Sequence, residues 1–174
     1  MMQPRGRCWK FGDNIPTDQI VRSDRALKSM DEMRAHVLEN LKPAFPGEVR
    51  PGDILVAGRH FGQSSGRAIA PKVLQATGLG AVVVESAARL FYRNCFEIGL
   101  PLVQCAGITA QVEDGDVVAV DIEAGLVTVE RSGVTLTGEP TDPFLLDMLR
   151  AGGIIPLAGQ LAGETGKPAG EGAA

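Results

Sequence analysis

Residues 61–67, which read FGQSSGR, carry the side chains of this chain that are best suited to chemistry on an anion. They follow an apolar run and precede a predicted helix, where free N–H groups and the helix dipole favour negative charge. Arg67 adds a planar guanidinium that can bind a carboxylate or phosphate through two hydrogen bonds. No Lys-Ser or Lys-Thr pair follows the glycines, so this is neither a Walker-type loop nor a GxGxxG motif. The segment predicts an anion site, with a tight connecting turn as the alternative.

An alternation of strands and helices must position this segment. Three apolar runs predict strands and two segments between them predict helices, in the order 54–57, 68–76, 81–84, 87–94 and 100–103. Pro71 fits only a first helical turn, and Gly78 is the expected residue after the end of that helix. The alternation predicts a parallel sheet with right-handed crossovers.

The segment before this core predicts one strand and one helix. Residues 7–27 predict an extended strand followed by turns. Residues 29–41 predict a helix of about three turns, with Ser29 as its N-cap and Pro43 beyond its end.

The segment after the core changes to short alternating strands. A β-meander is predicted at 117–122, 126–130 and 134–137, followed by a helix at 143–151 that Asp142 caps. Residues 163–174 lack bulky apolar side chains and predict a disordered tail rich in Gly and Ala. The sequence therefore predicts one α/β domain over 1–162.

Composition excludes several classes of protein. A chain of 174 residues with 44 % hydrophobic and 22 % charged residues is neither collagen-like, coiled-coil nor wholly disordered. The net charge of −4, with no cluster of Lys and Arg, argues against nucleic acid as a partner. The longest apolar runs are far shorter than the about 20 residues of a membrane span, and no apolar leader is recognisable. We expect a cytoplasmic protein that does not enter a membrane.

The cysteines and histidines argue against a metal site on this chain. Cys8, Cys95 and Cys105 are odd in number and form no CxxC pair, which disfavours a disulfide framework, a zinc site and an iron–sulfur site. His36 and His60 are the only histidines, too few for a three-ligand site. We expect the cysteines to be small buried apolar residues.

Five motifs carry a resemblance to a known family. They read WKFGDNIPTD at 9–18, PGDILVAG at 51–58, FGQSSGRAIAP at 61–71, LFYRN at 90–94 and IGLPL at 98–102. In this order and spacing they resemble the small subunits of 3-isopropylmalate dehydratase, which are swivel domains of the aconitase superfamily, over about residues 7–158. The resemblance implies a swivel-type β/β/α domain with a parallel β-α-β-α-β core and an added β-meander.

The resemblance also implies a shared active site. It implies a hydro-lyase of leucine biosynthesis, formed as a heterodimer with a large subunit that carries a 4Fe-4S cluster. Such an enzyme dehydrates and rehydrates a hydroxy di- or tricarboxylic acid such as 3-isopropylmalate; homoaconitate, citrate or isocitrate, and methylmalates are the alternatives. A different possibility is a swivel domain without catalysis that only binds an anion or a partner.

The family's loop implies roles for individual residues. It reads roughly Phe-Gly-Cys-Gly-Ser-Ser-Arg-Glu-His-Ala-Pro, and laid without gaps on 61–71 it makes Ser65 the catalytic base and Arg67 the carboxylate clamp. Ser64 and Gly66 would then border the substrate. Sliding the loop by one residue would align both serines but displace Arg67 and Pro71. The sequence departs from the family at five positions, which are Gln63, Ser64, Gly66, Ala68 and Ile69.

Two further residues follow from the same resemblance. Asp18 corresponds to an aspartate of the family that supports a catalytic histidine of the large subunit. A carboxylate can do this because its hydrogen bond fixes the tautomer of the imidazole. Its alternative role is to form a turn. Lys28 lies in the segment 26–29, where the family sets substrate choice, and would suit a second carboxylate better than an alkyl group. Its alternative is a solvated surface charge.

Overall fold

The computed structural model describes residues 2–165, which form a seven-stranded sheet covered by helices. The strands are β1 (Arg5–Lys10), β2 (Ile54–Ala57), β3 (Ala81–Val84), β4 (Leu102–Gln104), β5 (Val117–Asp121), β6 (Leu126–Val129) and β7 (Val134–Thr137). Their order is β4-β3-β2-β1-β5-β6-β7. The pairs among β1 to β4 are parallel, and the pairs β1–β5, β5–β6 and β6–β7 are antiparallel. The predicted α/β fold with a parallel core and a β-meander is confirmed.

Strand β1 joins the two halves of the sheet. Its second half pairs with β2, with Cys8 opposite Ile54, and its first half pairs with β5, with Arg7 opposite Val117. Every residue of β2 and β3 is buried. Continuous apolar runs of this kind are typical of parallel strands that are covered on both faces.

Of the eight α-helices in the described residues, six lie between strands and two follow β7. They are α1 (Thr17–Ile20), α2 (Met30–Arg34), α3 (Phe45–Glu48), α4 (Ile69–Ala76), α5 (Arg89–Ile98), α6 (Ile108–Gln111), α7 (Pro143–Ala151) and α8 (Ile154–Thr165), with a single 3₁₀ turn at Ser23–Arg25. The predicted bounds of β2, β3, β7 and α7 are confirmed, and α4 begins one residue after its predicted start. Gly78 follows α4 with a φ of +82°, a left-handed conformation that glycine adopts without steric cost. Asp142 caps α7 as predicted, because its carboxylate accepts the N–H of Phe144 at 2.9 Å.

The predicted three-turn helix at 29–41 is wrong. Ser29 does cap a helix, accepting the N–H of Glu32 at 3.2 Å, but α2 ends at Arg34. Leu38 has a φ of +56°, and its N–H donates to the carbonyl of Ile20 at 3.0 Å instead of continuing a helix. This tertiary hydrogen bond and the complete burial of Leu38 outweigh the local helical pattern.

The C-terminal region contains a helix that the sequence did not predict. Helix α8 begins directly after Gly153 and runs to Thr165, so it includes the first three residues of the predicted tail 163–174. The remainder of that tail lies outside the described residues. Within residues 2–165 no single helix is long and apolar enough to cross a membrane, and α7 with residues 154–163 would reach that length only across a bend of 91°.

Candidate active site

The loops after β1 and β2 lie side by side because they leave neighbouring parallel strands at the same edge of the sheet. The N–H of Gly62 donates to the carbonyl of Ile15 at 2.8 Å, and the N–H of Thr17 donates to the carbonyl of Gln63 at 2.9 Å. Pro16 and Gln63 form a parallel bridge. The two loops therefore prolong the pairing of β1 with β2 and bring residue 18 next to residues 63–67.

The other side of the second loop is held by the segment after β3. The N–H of Phe61 donates to the carbonyl of Ser86 at 3.0 Å, and the N–H of Ala88 donates to the carbonyl of Phe61 at 2.8 Å. Gly62 has a φ of +75°, and a Cβ placed on it would lie 2.1 Å from the ring of the buried Phe91. Only glycine fits this position, which explains how the loop is fixed at its start.

A pocket of about 220 Å³ opens where the two loops meet. It is lined by Thr17, Asp18, Val21, Ser23, Ala26, Ser64, Ser65, Arg67 and Ile69. Four of the six predicted site residues therefore border one space, although 46 positions separate Asp18 from Ser64 in the chain. The exceptions are Gly66 and Lys28, which are absent from the lining of this pocket.

Ser65 lies half-buried at the start of the turn that leads into α4. Its Oγ accepts the backbone N–H of Arg67 at 3.2 Å. A hydrogen bond of this kind stabilises negative charge on the oxygen, and the nearby N-terminus of α4 adds a partial positive charge. This N–H is therefore placed to stabilise negative charge that develops on Oγ.

The guanidinium of Arg67 is exposed at the pocket. By contrast, Arg59 is paired with Glu85 at 3.4 Å and Arg93 with Glu97 at 2.7 Å. Within residues 2–165, Arg67 has neither a carboxylate within 4.0 Å nor a side-chain hydrogen bond. Its five N–H donors thus remain available to an anion in the pocket.

Ser64 connects Ser65 to the opposite loop. Its Oγ donates to the Oδ1 of Asp18 at 3.3 Å and lies 3.5 Å from the Oγ1 of Thr17. The backbone of Ser64 has a φ of +80°, a left-handed conformation that residues other than glycine rarely adopt. A polar network of two hydroxyls and one carboxylate therefore lines the pocket together with Arg67.

Gly66 and Lys28 have other surroundings. The carbonyl of Gly66 accepts a hydrogen bond from Nδ2 of Asn94 at 2.9 Å, and Asn94 is only 7 % exposed. Asn94 thus fixes the turn from the α5 side. The ammonium of Lys28 lies 3.9 Å from the carboxylate of Glu32, one helical turn away, and its side chain is 55 % exposed.

Five lining residues were not among the predicted site residues: Thr17, Val21, Ser23, Ala26 and Ile69. Val21 and Ser23 follow the Thr-Asp motif, and no chemical pattern distinguishes them from other loop residues. Ile69 gave a usable signal, since it stands where the family's loop has a histidine. With Ala26, Val21 and Ile69 give the pocket an apolar side.

The three cysteines do not form a cluster site. Cys8, Cys95 and Cys105 are all buried as free thiols, on β1, on α5 and after β4. Burial raises the pKa of Cys8 to about 12 and also raises those of Cys95 and Cys105, which disfavours the thiolates that bind iron. Among residues 2–165 no group of three or more His, Cys, Asp or Glu side chains is arranged to hold a metal ion.

Fold and site together define an α/β domain with a pocket at one edge of its parallel sheet, lined by serine hydroxyls, a carboxylate and a guanidinium. Residues 11–106 match the model of the aconitase C-terminal domain family. The chain is 44 % identical over 155 residues to the 3-isopropylmalate dehydratase small subunit 1 of Methanopyrus kandleri, covering 88 % of this chain and 91 % of the relative. It belongs to the aconitase C-terminal domain family and, within it, to the small subunits of 3-isopropylmalate dehydratases and related hydro-lyases.

Other relatives at similar identity are named for different substrates. The isopropylmalate/citramalate isomerase small subunit of Methanocaldococcus jannaschii is 40 % identical, covering 87 % of this chain and 91 % of the relative. The methanogen homoaconitase small subunit of Methanothermobacter thermautotrophicus is 41 % identical, covering 87 % and 88 %. The crystal structure of 3-isopropylmalate dehydratase from Methanocaldococcus jannaschii superposes with a TM-score of 0.87 at 30 % identity, covering 95 % of this chain and all of that chain.

Proposed function

We propose that this chain supplies the base and the carboxylate clamp of a two-subunit hydro-lyase that acts on a hydroxy dicarboxylic acid with a small alkyl group. The observation that carries the proposal is the pocket itself. In a member of this family, Ser65, Asp18 and an unpaired Arg67 border the same space. A domain that only binds an anion would need the guanidinium of Arg67. It would not need the Ser65 hydroxyl that accepts the N–H of Arg67.

Ser65 is the base in this proposal. Its Oγ, ionised, takes the proton from the carbon next to a substrate carboxylate, and the electrons of that C–H bond form the C=C bond as the C–O bond on the neighbouring carbon breaks. The departing hydroxide would leave as water with a proton from the large subunit, where the cluster would supply the Lewis acid. A serine hydroxyl is a very weak acid, so its alkoxide must be stabilised where it forms. The N–H of Arg67, which already donates to Oγ at 3.2 Å, supplies that stabilisation together with the guanidinium. Rehydration returns the proton by the reverse path.

Arg67 orients the substrate. A guanidinium binds a carboxylate through two parallel hydrogen bonds, which fixes both the position and the plane of the anion. A carboxylate held by Arg67 lies next to Ser65, so the carbon that bears this carboxylate is presented to the base. The two residues are close in sequence because one turn before α4 must carry both.

The lining favours an alkyl-bearing substrate. Val21, Ala26 and Ile69 offer apolar surface, Arg67 is the one cation of the lining, and Asp18 repels a further carboxylate. A substrate such as 3-isopropylmalate matches this arrangement better than a tricarboxylate does. Contact of Lys28 with a second carboxylate stays a prediction, since in this chain alone Lys28 is paired with Glu32.

A large subunit is required to complete the site. Arg67, Ser64 and Asp18 are exposed, and Leu27, which follows the lining residue Ala26, is 97 % exposed. An uncovered active-site wall and an exposed leucine beside it suit an interface. The cysteines of this chain do not fit an iron–sulfur cluster, so we place the 4Fe-4S cluster on the large subunit. A cytoplasmic location stays a prediction.

The proposal is tested by activity of the two-subunit complex. The chain is expressed with a large subunit, the cluster is reconstituted without oxygen, and hydration is measured with unsaturated precursors of 3-isopropylmalate, citramalate and homoisocitrate. We expect the alkyl-bearing acids to react fastest. We expect Ser65→Ala to lower kcat by about 10²- to 10⁴-fold with assembly intact, the usual contribution of a positioned base.

Ser132→Ala is the matched control, because Ser132 lies exposed after β6 and its hydroxyl bonds only to local backbone. Activity that survives Ser65→Ala at the wild-type level would eliminate Ser65 as the base. An assembled complex with an intact cluster that binds these acids and converts none of them would favour the non-catalytic alternative.

A further inference from the structure

Ser64 has a backbone conformation that its side chain disfavours. A φ of +80° suits glycine, and the family's loop has a glycine at this position. Three other non-glycine residues of the described chain have positive φ, and each has a compensating contact. Leu38 is buried and bonded to Ile20, and the side chains of Asn14 and His60 bond to each other at 3.1 Å. The compensating contacts of Ser64 lie on its side chain.

That side chain reaches the opposite loop. Its Oγ donates to Oδ1 of Asp18 at 3.3 Å and lies 3.5 Å from Oγ1 of Thr17, which is buried. Within residues 2–165, Ser64 is the only side chain that hydrogen-bonds the Asp18 carboxylate. A backbone hydrogen bond holds the same segment, since the carbonyl of Gln63 accepts the N–H of Thr17 at 2.9 Å. Residues 63 and 64 thus hold the first turn of α1 by a backbone bond and a side-chain bond.

We propose that Ser64 is a positioning residue, which holds the carboxylate of Asp18 in its working orientation and whose hydroxyl compensates for the strained backbone. This inference rests on the proposed function, in which Asp18 supports a catalytic group of the large subunit. Both hydrogen bonds are long, as is common for catalytic contacts in a free enzyme, and they would shorten when the partner covers the pocket.

Two other roles for Ser64 predict different behaviour. A hydroxyl that contacts substrate directly would change KM when it is removed, and its effect would be independent of Asp18. A residue that merely occupies a turn would change stability and leave kcat alone. A positioning residue changes kcat, leaves KM nearly constant, and loses its effect when Asp18 is already disabled.

Ser64→Gly and Ser64→Ala form a matched pair, because both remove the hydroxyl and only alanine keeps the strain. In the isolated full chain we expect Ser64→Gly to melt about 2–4 °C above Ser64→Ala, which corresponds to relief of one left-handed residue in a domain of this size. In the reconstituted complex we expect both variants to lower kcat about tenfold, the loss typical of a hydrogen bond to a charged group, with KM changed less than about twofold. Thermal stability then distinguishes the two variants, whereas kcat does not.

A double-mutant cycle tests whether Ser64 acts through Asp18. Asp18→Asn is combined with Ser64→Ala, and kcat is measured for the four complexes. We expect Ser64→Ala to change kcat by less than about twofold when Asp18→Asn is present, because no carboxylate remains to be oriented. Thr128→Ala is the control, since the Thr128–Thr135 hydroxyl pair lies across β6 and β7, outside the pocket.

The outcomes separate this inference from the proposed function. Unchanged kcat in both Ser64 variants of an active complex would overturn the positioning role and leave the proposed function standing. An undiminished effect in the Asp18→Asn background, or a rise in KM alone, would also overturn it. A wild-type complex that converts none of the acids would overturn both.

Discussion

Arg67→Lys separates charge from geometry at the pocket. Lysine keeps the positive charge of Arg67 but presents a compact ammonium, which cannot form the two parallel hydrogen bonds that a guanidinium gives a carboxylate. The substitution is expected to spare the fold, because within residues 2–165 the guanidinium of Arg67 has no ion pair and no hydrogen bond to lose. Its consequences should therefore appear in substrate binding.

The magnitude follows from the bonds that would be lost. One hydrogen bond between charged groups contributes about 1.5–3 kcal/mol, and each 1.4 kcal/mol is tenfold in affinity, so KM should rise about 10- to 150-fold. A surface substitution that removes no interaction stays within about 0.5 kcal/mol, which is about 1–2 °C in melting temperature for a domain of this size. A kcat close to wild type at saturation would indicate that Ser65 is still placed correctly.

The assay compares steady-state kinetics of the reconstituted complex with thermal melting of the isolated chain. Arg131→Lys is the control, because Arg131 bonds to Asp116 at 2.8 Å beside the β-meander and takes no part in the pocket. It should show the opposite pattern, a slightly lower melting temperature and an unchanged KM. The carboxylate-clamp role would be refuted if Arg67→Lys left KM unchanged, or if its melting temperature fell enough to account for the lost activity.

Two further predictions concern the parts of the chain that hold the site. Gly62→Ala should destabilise the fold by about 3 kcal/mol, lowering the melting temperature by about 6–12 °C, because its Cβ would overlap the buried ring of Phe91. Gly133→Ala, which has a similar φ of +69° but open space around it, should cost only about 1 kcal/mol, and equal losses in the two variants would contradict the steric argument. Burial raises the pKa of Cys8 to about 12, so iodoacetamide should label none of the three cysteines of the folded chain at pH 8 and all three in urea. Labelling of the folded chain, measured by mass spectrometry, would show that the thiols are accessible.

Local patterns predicted the elements whose structure is decided locally. The apolar runs at β2 and β3 and the Asp142 cap of α7 are short-range signals, and their bounds agree with the structure. The prediction of a helix at 29–41 was wrong because the N–H of Leu38 donates to the carbonyl of Ile20, 18 positions away in the chain. No periodicity within 29–41 contains that information. The central position of β1, which pairs with β2 and with β5, also depends on the whole sheet.

The site was predictable only in part for the same reason. Residue types and the turn before α4 were sufficient to propose an anion site with Arg67. That Asp18 faces this turn depends on the bond from Thr17 to Gln63, which the sequence indicates only through its family resemblance. The positive φ of Ser64 has no local signal at all, since serine gives no reason to expect a left-handed backbone.

The loop differs from the family's pattern in a way that the structure makes coherent. The family's order of glycine at 64 and serine at 66 is reversed here, so a hydroxyl has moved from one side of Ser65 to the other. On its new side this hydroxyl reaches Asp18 at 3.3 Å, while Gly66 keeps its carbonyl bonded to Asn94 at 2.9 Å. Ile69 replaces a histidine and extends the apolar side of the pocket. If Ser65 and Arg67 act as proposed, the departures leave both side chains at the pocket and alter what surrounds them, as expected for a shift in substrate preference.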